Sequence, residues 1–261
     1  MKHLSQKSWR TNTVFIIILW LVLLVASITV LSSVITPFLK TLQTQSVFSL
    51  DWAGYAVSSN LIAPQPFVVG VKGSWTVPRV VASVDDSYSS AWIGIGGQLD
   101  ETLIQCGTEH DFTNGREQYL VWYELLPANA VTVNGIKISP GDNIKASIAF
   151  VNTSTNDWTL EIENLSNGQS FRRNFAYNSS KLSAEWVVER PTVNNQITDL
   201  ADFGEITFTD AKATIADTVG TIRSFSNYEI IMNNRDNAQL TSVSNLNSDG
   251  SSFSVTYGSY P

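Results

Sequence analysis

The segment TLIQCGTEHDF, residues 102–112, gathers an amide, the chain's only cysteine, one of its two histidines and two acids into one stretch. As a strand with period two, it places Leu103 and Gln105 on one face. Gln105 is uncharged, and it stands where a catalytic strand would ordinarily carry a charged or nucleophilic group. LVWYELLP puts Glu124 on the face of Trp122, and SAEWVVERP puts Glu185, Val187 and Glu189 together, with Ala184, Trp186 and Val188 opposite. In SSAWIGIGG, Trp92, Gly94 and Gly96 share a face, and the glycines are expected to leave room for a chain lying across it. A face lined by aromatics and a few acids suits a sugar or an extended peptide. Spacing alone therefore leaves three readings open. They are peptide hydrolysis, glycoside hydrolysis by two of Glu124, Glu185 and Glu189, and a lectin-like binding face without catalysis.

Other chemistries are excluded by what is missing. His3 lies in the N-terminal segment expected on the cytoplasmic side, so His110 is the one histidine left for the remainder, and no G-x-S-x-G accompanies it. There is no HExxH or Cys/His cluster for zinc, no P-loop, no dinucleotide fingerprint and no paired D-T-G or D-S-G. No metal or cofactor is expected. Cys106, being single, can form no intramolecular disulfide and reads as a small buried hydrophobe.

Only 15% of the 261 residues are charged and the net charge is −7. Nucleic acid is excluded as a partner, because phosphate binding needs clustered Lys and Arg. Residues 1–13 form a short basic segment with Lys2, Lys7 and Arg10 and no acid, and 14–36 form a long uncharged, largely apolar stretch. That length crosses a hydrocarbon core of about 30 Å, and the basic flank places the C-terminal part of the chain outside. The stretch is expected to be a retained transmembrane anchor or a cleaved signal, giving an extracellular domain that is membrane-tethered or secreted. Without residues 1–40, twelve basic residues face 23 acids, net −11. NTS at 152, NLS at 164 and NSS at 178 are glycosylation acceptors in a host that uses them.

These residues must be held by strands. Residues 37–50 read as a polar linker, and 51–261 as one domain of short alternating segments separated by turn residues. VNG at 133–135, SPGDN at 139–143 and LSNGQS at 165–170 are turn signals suited to positive φ. No amphipathic helix of useful length is expected after residue 50. The expected fold is an all-β, two-sheet antiparallel sandwich.

The order DWAGYAV, GSWTVPRV, SAWIGIGG, LIQCGTEHDF, WYELLP, ISPGDNIKASI, IENLSNGQSF and AEWVVERP resembles the glutamic peptidase family, the eqolisins, over roughly residues 51–210. The resemblance implies a lectin-like β-sandwich and an acid-acting endopeptidase that takes polypeptide substrates, with a single copy expected. It also implies a catalytic pair. Gln105 matches the glutamine of the family's L-Q-x-G motif, and Glu189 matches the glutamate closing A-E-[aromatic]-x-x-E. Trp92, Glu109 and Glu124 match substrate-binding or supporting positions, and Trp52 a packing position. Two departures stand out. The family's G-I-D-G is GIGG here, so Gly96 lacks an acid, and Glu109 replaces an aspartate. About a dozen residues separate the apolar stretch from DWAG, too few for the family's inhibitory pro-segment. Low pH itself is therefore expected to gate activity.

Overall fold

The structure, a computed structural model, describes residues 45–258. The segments read as a basic tail and an apolar anchor lie outside the described residues. Among the described residues no helix is long and apolar enough to cross a membrane.

The chain folds into two eight-stranded sheets. Edge to edge, the first runs Gln45–Ser49, Ser226–Met232, Trp52–Ser58, Ser183–Glu189, Ser90–Gly96, Leu103–Thr113, Arg116–Leu125 and Val131–Thr132. The second runs Gln169–Ala176, Asp157–Asn164, Asn143–Asn152, Val68–Thr76, Glu205–Ile215, Phe253–Tyr257 and Thr241–Val243, with Thr218–Thr221 paired to Glu205–Ile215. Gln45–Ser49 pairs in parallel with Ser226–Met232, and every other ladder is antiparallel. Among the described residues the helical content is one 3₁₀ turn, Ile222–Ser224. Part of the expected linker is thus an edge strand, whose Val47 packs on the outer face of the first sheet.

The main core fills the space between the sheets. Alternation sends Ala184, Trp186 and Val188, Ala91, Ile93 and Ile95, and Ile104 and Cys106 into it. Two indoles tie the sheets across this layer. Trp186 Nε1 donates to the Lys72 carbonyl at 2.8 Å, and Trp75 Nε1 donates to Thr108 Oγ1 at 2.8 Å. They fix the strands that carry Glu189 and Gln105.

The outer face of the first sheet is buried as well. Ala56, Trp92, Leu103, Trp122, Val187, Tyr228 and Ile230 form a second apolar cluster there, with Trp52, Leu61 and Leu99 against it. Strands buried on both faces show more apolar residues than simple alternation requires, which is why LVWYELLP and AEWVVE carry no clean polar face.

Candidate active site

Register places the expected site residues on that outer face. One cross-strand row is Glu185, Gly94, Gln105 and Glu124. A second is Trp52, Glu189, Ser90 and Glu109. Between them lies Val187, Trp92, Gly107 and Trp122. Gln105, Glu109, Glu189 and Glu185 are thus corners of a patch roughly 10 Å by 13 Å, with Trp92 at its centre.

Trp92 is fully buried and acts as a support. Its Nε1 donates to Glu189 Oε2 at 2.7 Å, and Trp52 packs edge-on against it at 4.9 Å between centroids. Gly107 makes this possible, since a Cβ there would lie 2.5 Å from the Trp92 Cβ and 2.4 Å from the Ala91 carbonyl oxygen. Gly94 does not leave the room for a crossing chain that the sequence suggested. Leu103 Cδ1 and Trp92 Cζ3 would each lie 2.8 Å from a Cβ at that position. Gly96 has φ +90, and a Cβ there would fall 2.1 Å from the Thr102 carbonyl oxygen. The segment after Gly96 therefore closes over the space that an aspartate would occupy.

Gln105 is 4% exposed. Its Nε2 donates to Glu124 Oε2 at 2.7 Å, while its Oε1 is buried without a hydrogen-bond partner. One amide N–H is thus anchored and the second remains for a ligand. Glu124 is half-buried; its pKa is raised by burial, offset by the bonds from Gln105 and the Ala130 backbone. The Nε1 of Trp122, two residues back on the same face, is a further buried donor without a partner. Strand alternation places Trp122 on the Glu124 face, but nothing in the sequence shows that its indole N–H would be without a partner.

Glu189 departs from the expectation of an ordinary glutamate. Part of its surface is accessible, but its carboxyl is enclosed, and its pKa rises to about 8. Burial is the largest cause, followed by the charge of Asp51, with a smaller push from Glu124. The indole N–H groups of Trp92 and Trp52 act the other way. Glu109 is also raised, by burial and then by Glu124. Glu185 is completely buried, neither oxygen makes a hydrogen bond of good geometry, and burial holds its pKa well above the usual carboxylate range.

His110 and Cys106 point to the other face. His110 is fully buried, and its Nε2 lies 2.7 Å from Thr108 Oγ1. The other ring nitrogen of His110, Nδ1, is buried without a hydrogen-bond partner. Burial lowers its pKa to about 3 and raises that of Cys106. Neither can serve chemistry on the Gln105 face.

Residues 50–257 match the Peptidase A4 family. Aspergillopepsin-2 of Aspergillus niger is 31% identical over 239 residues, covering 82% of this chain and 79% of that protein. The crystal structure of aspergilloglutamic peptidase from the same organism is 32% identical, covers 66% of this chain and 99% of its own, and gives a TM-score of 0.57. That of scytalido-glutamic peptidase with a transition state analog inhibitor gives 0.67 at 24% identity, covering 80% of this chain and 98% of its own. The chain belongs to the peptidase A4 family and is a glutamic endopeptidase.

Proposed function

We propose that the chain hydrolyses peptide bonds with Gln105 and Glu189 as its catalytic pair, in acid and outside the membrane. The observation that carries this reading is the state of the Gln105 amide. It is buried, anchored through one N–H by Glu124, and left with a second N–H and an unpartnered Oε1. A donor fixed in this way stabilises the negative charge that develops on a carbonyl oxygen under attack, at no reorganisation cost. Glu189, held by Trp92, takes the proton of the attacking water and returns it to the departing amine. Glu124 orients Gln105.

The test is cleavage of a denatured protein by the full chain across acid and neutral pH, compared with Glu189→Gln and Gln105→Ala. Loss of the Gln105 donor is expected to cost about 10²–10³ in kcat, and Glu189→Gln to abolish turnover, with circular dichroism unchanged. Cleavage retained at the wild-type rate in folded Gln105→Ala would remove the amide from the mechanism.

A further inference from the structure

Beyond the strand that carries Glu189, we propose a site for the carboxylate of a peptide, held between Arg190 and Arg235. The choice of a peptide as its bearer rests on the peptidase reading of the Gln105 face.

Arg190 follows Glu189 directly, and its side chain leaves on the opposite side of the strand. Its backbone N–H donates to the Asp51 carbonyl at 2.8 Å, and one guanidinium nitrogen donates to the Leu50 carbonyl at 2.6 Å. Its Nε is buried and has no acceptor. Beside it opens a cavity of about 400 Å³, lined by Arg190, Arg235, Asn195, Gln196, Asn234 and Asp236 among others. Asn195 comes from the tip of a hairpin, Thr192–Val193 with Gln196–Ile197, turned through Asn194 and Asn195 at φ 52 and 63. Arg235 comes from the turn after Ser226–Met232. Among the described residues, neither guanidinium makes an ion pair.

Two guanidiniums without an ion pair, lining one polar cavity, suit an anionic occupant. The guanidinium fork matches a planar carboxylate, and three side-chain amides stand ready for its remaining lone pairs. Asn234 Oδ1 already accepts from the N–H groups of Asp236 and Ala238, which leaves Nδ2 as a donor. Acids face the site from three segments. Asp236 lines the cavity, and Asp51 and Asp199 lie close enough to act on Arg190. A C-terminal carboxylate, with a pKa of roughly 3.5, stays ionised lower than side-chain acids do.

The test is calorimetric binding to the full chain near pH 4.5, with three probes. They are acetyl-trialanine with a free carboxylate, its C-terminal amide, and an amide carrying one aspartate. The free acid is expected to bind about tenfold tighter than its amide, and Arg235→Gln and Arg190→Gln each to shrink that ratio below about threefold. Arg235 is exposed, so its variant keeps the fold even where Arg190→Gln does not. Equal affinity for acid and amide, or a preference that survives in folded Arg235→Gln, would overturn the site. An aspartyl amide that binds as tightly as the free acid assigns the site to acidic side chains, and one that does not assigns it to the C-terminus. Binding is read without turnover. A chain that cleaves protein yet shows no preference loses this site alone, whereas one that keeps the preference but fails to cleave loses only the Gln105–Glu189 mechanism.

Discussion

Glu189 gathers opposing influences in one carboxyl. Burial and the charges of Asp51 and Glu124 hold the proton on it, and the indoles of Trp92 and Trp52 favour its loss. The indole donors favour the ionised form, the form in which Glu189 would act as the proposed base. With Glu189 as the proposed base, the acid limb of kcat/KM is expected to report this group in the free enzyme. Trp92→Phe removes a donor to the ionised form and is expected to move that limb to higher pH. Glu124→Gln removes a raising charge and is expected to move it lower, while cutting kcat about tenfold or more because the Gln105 amide loses its anchor. Shifts of the same sign in both variants would sever the link between this limb and Glu189.

At the scale of elements, the loop after Gly96 is a replacement for a side chain. The carbonyl of Thr102 sits where a Cβ at residue 96 would go, and the loop is pinned by Asp100 Oδ1, which accepts from the Thr102 N–H and hydroxyl, each at 2.6 Å. Gly96→Asp therefore does not restore a familiar acid. It is expected to destabilise the fold by about 1–3 kcal/mol or more, through positive φ and the collision together, measured as a fall in urea midpoint with m unchanged. The strands around this loop were legible because alternation is local. GSWTV, SAWIGIG and SFSVTY declare themselves within a few residues. Gln45–Ser49 was not legible, since an edge strand with Phe48 73% exposed carries little alternation. The hairpin at Asn194–Asn195 is equally short and exposed. The identity of Gln105 and Glu189 came through motif resemblance, but the enclosure of Glu189 did not. That enclosure is made by Trp52, Trp92 and Asp51, residues more than ninety positions away.

For the molecule as a whole, pH acts on stability through groups buried on both faces of one sheet. Glu185, Glu109, Asp111 and Glu189 all have folded pKa values raised above those of the open chain, burial being the first cause in each case. Above roughly pH 4 the unfolded chain gives up these protons while the folded chain keeps them, so stability falls as pH rises toward 8. His110 works in the opposite sense. Its folded pKa of about 3 lies below that of free histidine, so the unfolded chain binds a proton that the folded chain refuses, and stability falls as pH drops from roughly 6.5 toward 3. Between these pH values the acids outnumber the histidine, which puts the maximum of Tm near pH 4. An alkaline limit on the proposed acid activity would then belong to the fold and not to Glu189, whose ionisation above pH 7 would by itself favour a base. Glu185→Gln separates the two. It removes a buried acid outside the proposed catalytic pair, so Tm is expected to rise at pH 7, stay nearly unchanged at pH 4, and carry the alkaline limb of proteolysis upward with it. A limb that stays in place while Tm at pH 7 rises would return the alkaline limit to the catalytic groups themselves.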